Sequence, residues 1–146
     1  MNAVIIEDEH LSADRLADLL VRVNPAMRVL AVLDSVRSAI QWFNQHTSPD
    51  LVFVDIQLAD GLSFDIFEAV QLDCPVIFTT AYQEYAIRAF RLNSVDYLLK
   101  PVSEADLQTA LQKYMKYHGE RNLPGAPDKE LLDSIRLMIS RSYKNR

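Results

Sequence analysis

Five short apolar runs, Ala3–Ile6, Arg28–Leu33, Leu51–Val54, Val76–Thr80 and Val95–Leu99, recur through the first 119 residues, and each is followed by a stretch of helical periodicity. Short, β-branched runs of this kind suit strands buried on both faces of a parallel sheet. The second run is the alternating one, with Met27, Val29, Ala31 and Leu33 apolar. Between the runs, Leu11, Leu16, Leu19, Leu20 and Val23 mark a first helix closed by Asn24-Pro25. Asp34-Ser35 caps a second, carrying Ala39, Ile40, Trp42 and Phe43 as its core residues. After a loop at Leu58-Ala59-Asp60-Gly61, a third helix carries Leu62, Ile66, Phe67, Val70 and Leu72, and Glu84–Leu92 forms a short fourth. Ser103 opens the last helix, with Glu104 and Asp106 in its first turn, and Leu107, Leu111 and Met115 lead it to about Gly119. Five strands strictly alternating with five helices predict an α/β fold built on a five-stranded, doubly wound parallel sheet.

Residues 120–129 contain Pro124-Gly125-Ala126-Pro127, have no periodicity and read as a linker. Beyond them, Leu131, Leu132, Ile135, Met138 and Ile139 fall on one face of a linker helix within 130–146. Hydrophobic residues at 49% and charged residues at 24% exclude wholesale disorder and fit one globular domain with an appendage. No apolar run approaches the roughly 20 residues that span a bilayer, so no membrane role is expected. A first segment without a basic region or cleavage site, and a single cysteine, point to the cytoplasm. That cysteine, Cys74, stands just before Pro75 and is expected to be buried and inert. Residues 1–119 hold 9 Lys and Arg against 16 Asp and Glu, whereas residues 120–146 hold 6 against 4. The acidic body is therefore unsuited to gripping nucleic-acid phosphates, and any basic partner surface belongs to the tail or to something beyond it.

In open α/β sheets, ligands bind at the carboxyl ends of the strands. Here those ends carry Glu7, Asp8 and Glu9 after the first run, Asp55 after the third, Thr80 after the fourth and Lys100 after the fifth. Taken singly, each has an ordinary explanation: a helix cap, a turn residue, a surface charge. Together, carboxylates converging on one crevice would repel one another unless a cation sat among them, and hard oxygen donors with room for water favour Mg2+ over zinc. A phosphoryl group would fit beside such an ion, with Thr80 and Lys100 available to its other oxygens and Asp55 as the nucleophile.

These residues carry a family resemblance. Val4-Ile5-Ile6-Glu7-Asp8-Glu9, Val54-Asp55-Ile56-Gln57-Leu58 with Asp60-Gly61, Thr79-Thr80-Ala81 and Asp96-Tyr97-Leu98-Leu99-Lys100-Pro101 together resemble the receiver domain of bacterial two-component response regulators. The resemblance implies a (βα)5 flavodoxin-like receiver over residues 1–119, which takes a phosphoryl group from a sensor histidine kinase onto Asp55. It implies Mg2+ held by Asp8, Asp55 and the Gln57 carbonyl, with Glu7 acting through water; Glu7 stands where the wider family has Asp. It further implies a cis Lys100-Pro101 peptide and a switch in which Tyr97 follows Thr80 toward the phosphoryl group.

Ala81-Tyr82-Gln83-Glu84-Tyr85-Ala86-Ile87-Arg88-Ala89-Phe90, followed by Asp96–Val102, is similar to the LytR/AlgR subfamily, whose receivers precede a LytTR-type DNA-binding domain. Tyr143–Arg146 resembles the point where that output domain begins, so DNA contact is expected only through a domain beyond this chain. Phosphorylation-dependent homodimerisation is expected on a face carrying Arg88, Arg91, Asn93, Asp96 and Asp106, charges that equally suit a solvated surface. Two alternatives are a stand-alone relay receiver and an aspartyl-phosphate phosphatase. The second needs an acid two residues after the nucleophile, where this chain has Gln57.

Overall fold

The computed structural model describes residues 1–81 and 96–119, apart from the side chains of residue 96 and residues 117–119. In chain order the elements are β1 (Asn2–Ile6), α1 (His10–Val23), β2 (Arg28–Leu33), α2 (Val36–Gln45), β3 (Leu51–Asp55), β4 (Gln57–Leu58), β5 (Gly61–Leu62), α3 (Phe64–Ala69), β6 (Val76–Thr80), β7 (Asp96–Leu99) and α4 (Glu104–Gly119). The main sheet has the order β2-β1-β3-β6-β7 with every pair parallel. β3 is the middle strand, and all five of its residues are buried.

Period-two alternation deals the strand residues to two separate cores. Ala3 and Ile5 of β1, Leu51 and Phe53 of β3, Ile77 of β6 and Leu98 of β7 pack with Leu16, Leu19 and Leu20 of α1 and Leu107, Ala110 and Leu111 of α4. Val4, Ile6, Val52, Val54, Val76 and Phe78 face the other way, onto Val36 and Ala39 of α2 and Phe64 and Ile66 of α3. Both faces are covered, which is why these strands read as continuous apolar runs. Among the described residues, no helix is long and apolar enough to cross a membrane.

Several local readings differ from the sequence expectation. Leu58–Gly61 is no open loop: Gln57 and Leu58 pair antiparallel with Leu62 and Gly61 in a tight hairpin, turned by Gly61 at φ 147°. The third helix therefore starts only at Phe64; Leu62 belongs to β5, and Val70 and Leu72 follow the helix rather than extend it. β2 keeps its alternation, with Val29, Ala31 and Leu33 partly buried and Arg28, Leu30 and Val32 exposed, but its pairing shifts register, setting Val29 against Ala3 and Ala31 against Val4. Leu30 has no partner in that register, and Val29 and Leu33 consequently reach opposite cores. Leu11, placed by periodicity on the inner face of α1, is 78% exposed. Trp42 and Phe43 are only partly buried against the core, with Trp42 stacked on His46. Cys74 is buried and its thiol is pushed up to about 12, chiefly by burial, as an inert cysteine should be.

Ser35 caps α2 and exchanges hydrogen bonds with Ser38 in a reciprocal box. Ser103 caps α4 by accepting from Asp106 N at 3.1 Å. The expected helix at Glu84–Leu92, the linker at 120–129 and the linker helix within 130–146 lie outside the described residues.

Phe53 is the largest side chain that β3 sends into the α1/α4 core and is fully buried. Phe53→Ala should lower unfolding stability by about 3–5 kcal/mol, through lost burial and the cavity left behind. The shift of the urea midpoint at unchanged slope measures it.

Candidate functional site

The strand order reverses direction at β1, so the loops leaving β1 and β3 diverge to opposite faces and open a crevice between their carboxyl ends. Glu7 and Asp8 follow β1, and Asp55 closes β3. Carboxylate oxygens of Glu7, Asp8 and Asp55 lie within 4.8 Å of one another. Glu7 is 5% exposed and Asp55 8%, while Asp8 is more open to solvent. Two of three clustered acids are therefore nearly withdrawn from water, an arrangement that demands compensation.

Lys100 supplies part of it. From the end of β7, its ammonium donates to Asp55 Oδ2 at 2.7 Å and to Glu7 Oε1. Its backbone N–H is fixed in turn by the Thr80 carbonyl at 2.8 Å, which ties the ends of β6 and β7 together. The Lys100-Pro101 peptide is cis. Burial works against the charged ammonium, but its hydrogen bonds to Asp55 and Glu7 outweigh it and raise the lysine above its ordinary value. Glu7 is raised as well, for a different reason. Burial pushes its carboxyl up to about 7 despite the Lys100 hydrogen bond, and the Asp55 charge adds to the rise. This direct Glu7–Lys100 pairing was not read from the sequence, which assigned Glu7 a water-mediated place.

Other residues surround this triad. Thr80 is fully buried at the end of β6, next to Thr79, which is paired in register with Asp55. Gln57 N donates back to Asp55 Oδ1 at 3.3 Å. Tyr97 of β7 is half-buried and packs against the α2/α3-side core. Glu9, rather than Asp8, occupies the N-cap of α1, and its side chain makes no capping bond, leaving Asp8 to the crevice.

Asp60 gains a role the sequence had not disclosed. Its two oxygens accept from Val36 N at 2.8 Å and Arg37 N at 3.1 Å, so the β4–β5 hairpin is bolted to the N-terminus of α2. Burial is the largest single influence and opposes the charged form, but the backbone donors together outweigh it and hold the carboxyl below its ordinary value. Of the expected dimer face, Arg88, Arg91, Asn93 and the side chain of Asp96 lie outside the described residues, and Asp106 is exposed in the first turn of α4.

The raised Glu7 carboxyl has a consequence for stability. Below pH 4.5 both folded and unfolded chains hold the proton; between 4.5 and about 7 the unfolded chain loses it first. Stability of the protein in chelator should therefore fall as pH rises through that window, by on the order of 3 kcal/mol, and level off above it. Urea midpoints from pH 4 to 8 measure this, and Glu7→Gln should flatten the slope; an equal slope in Glu7→Gln would assign it to another group.

Known proteins share both the sequence and this frame. Residues 3–112 match the response regulator receiver domain family. The sensory transduction protein LytT of Bacillus subtilis is 38% identical over 120 residues, which cover 80% of this chain and 48% of that protein. An uncharacterized response regulatory protein of Vibrio cholerae is 35% identical over 145 residues, 97% of this chain and 55% of its own length. The chain thus spans about half the length of the curated relatives it matches. Among solved structures, the response regulatory domain of mrkE from Klebsiella pneumoniae has a TM-score of 0.65 at 30% identity, over 82% of this chain and 99% of that one. The PhyR receiver domain of Erythrobacter litoralis gives 0.66 at 31%, over 87% and 94%. With its five-stranded parallel sheet and the acidic crevice at the strand ends, this chain belongs to the response regulator receiver domain family, with LytT- and LytR-type regulators among its relatives.

Proposed function

We propose that this receiver is a phosphorylation-controlled switch in which Asp55 accepts a phosphoryl group from a sensor histidine kinase. The observation that carries the reading is the Lys100 ammonium set between Glu7 and Asp55, with Asp8 beside them. In the transfer, an Asp55 carboxylate oxygen attacks phosphorus. A P–O bond forms as the P–N bond to the donor imidazole breaks, and that nitrogen leaves with the bonding pair and takes up a proton. The Lys100 ammonium, already in contact with Asp55, then binds an oxygen of the incoming group, and the Thr80 hydroxyl serves another.

The donor set fits Mg2+. Were all three carboxylates ionised around it, they and the one ammonium would leave a charge of −2, which a divalent cation balances. Oxygens bound to one Mg2+ stand about 3–4 Å apart, close to the spread of these three. Asp8, Asp55 and the Gln57 carbonyl would hold the ion, with Glu7 acting through water. When bound, Mg2+ neutralises charge on the transferring phosphoryl oxygens. Asp60, by fixing the hairpin that begins at Gln57, keeps that carbonyl in place.

The switch reading follows from Thr80 and Tyr97. Thr80 stands on β6 beside the acceptor strand, and Tyr97 is on the neighbouring β7, half-buried against the α2/α3-side core. A phosphoryl group that draws Thr80 inward frees space for Tyr97 to follow. The changed surface would then control a homodimer through the face of Arg88, Arg91, Asn93, Asp96 and Asp106. The similarity to LytT, 48% of whose length this chain spans, agrees with a receiver that feeds a DNA-binding output of the LytTR type through residues 120–146. Gln57 in place of an acid speaks against the phosphatase alternative.

Acetyl phosphate with Mg2+ should add one phosphoryl group to the protein and none to Asp55→Asn, as read by intact mass. A label that persists in Asp55→Asn would move the acceptor elsewhere. Tyr97→Ala should take the label at an unchanged rate yet no longer dimerise on phosphorylation. Equal association of phosphorylated mutant and parent in ultracentrifugation would remove Tyr97 from the switch.

A further inference from the structure

Lys100 begins a four-residue connection between β7 and α4, and its aim depends on how that connection is held. The first residue is pinned by its N–H to Thr80 O, and the last, Ser103, receives Asp106 N on its hydroxyl and Leu107 N on its carbonyl. Pro101 between them has no N–H to give. The one described hydrogen bond to the middle of the connection comes from α1: Arg15 Nη2 donates to the Val102 carbonyl at 3.0 Å. Beneath this stretch is a cavity of about 60 Å³ lined by Glu7, Leu16, Phe53, Thr79, Lys100 and Val102, among others, with Arg15 also in its wall. The Val102 side chain is buried in the α1/α4 core, but the cavity beside it leaves the connection less closely packed than a filled core would. Arg15 itself lies on the exposed side of α1, so helix packing alone does not call for a guanidinium there.

We propose that Arg15 is a positioning residue for phosphoryl transfer: by holding the Val102 carbonyl across the cavity, it keeps the Lys100 ammonium aimed at Asp55. This rests on the phosphoacceptor reading given above. The bond is charge-assisted and joins α1 to the connection directly after the lysine. An ammonium that meets two carboxylates at once has little positional tolerance, and small misplacements of a reacting group carry large rate penalties. Arg15 touches neither Asp55 nor its oxygens in any described hydrogen bond, so its effect passes through Lys100.

The test is the rate of Asp55 phosphorylation by acetyl phosphate at saturating Mg2+, with Mg2+ affinity measured separately. Arg15→Met keeps the apolar stem and removes the donor; it should slow labelling about tenfold while Mg2+ affinity stays within about twofold. Arg15→Lys keeps a donor of similar reach and should recover most of the rate. In a Lys100→Ala background, Arg15→Met should cost nothing further, because the two act through one group. A melting curve checks that each variant folds, and Arg15→Gln, too short to span the gap, stands in should Arg15→Met fail. Labelling of folded Arg15→Met at the parental rate, or an undiminished tenfold loss in the Lys100→Ala background, would overturn the proposal. Absence of label on the parent protein would instead overturn the phosphoacceptor reading itself.

Discussion

The arrangement of this domain depends on burying β3 on both faces while its last residue, Asp55, places a carboxyl group in the crevice at the strand ends. Leu51 and Phe53 enter one core, Val52 and Val54 the other, and the strand has no exposed residue to spare. That burial fixes the height and direction of Asp55. It also draws β1 and β6 alongside in parallel register, which brings Glu7 next to Asp55 and sets Thr79 opposite it. Hydrophobic pressure thus assembles a cluster of like charges that electrostatics alone would disperse.

The compensation for that cluster is distributed. Lys100 answers two of the acids and arrives from a strand two places away in the sheet, so the ion triad also locks β7 to the centre. One ammonium among three carboxylates is incomplete neutralisation, and the Glu7 carboxyl, raised chiefly by burial, is raised further by the Asp55 charge. In the proposed switch, a divalent cation and a phosphoryl group would together change the charge balance that holds the strand ends. The supports around it have the same character: Asp60 fastens the hairpin to α2, and Arg15 fastens the Lys100 connection to α1.

The helices behave less uniformly than the strands. α1 and α4 follow their apolar periodicity onto one face, but Leu11 stands on the opposite side of α1 from the buried Ala13, Leu16 and Leu20, and Met115 of α4 is also exposed. α3 is shorter than its apolar residues suggest. Leu62 and Leu72 are drawn into the core from a hairpin and a loop, and burial of a side chain does not require its backbone to be helical. β2 keeps its alternating burial yet slips register by one residue against β1, which an edge strand tolerates because only one neighbour must match it.

The sequence by itself determined the α/β class, the five strands, the capped second and last helices, and the residue types at the strand ends. These are carried by local signals, namely apolar runs, periodicity and cap residues, which act over one or two turns of chain. Tertiary structure alone decided who meets whom. Glu7 with Lys100, Asp60 with the N-terminus of α2, and Arg15 with Val102 are partners separated by 93, by 24 and 23, and by 87 residues. No local pattern marks such pairs, because hydrogen bonds and ion pairs between side chains form only after burial of the sheet has fixed the distances at which charges interact.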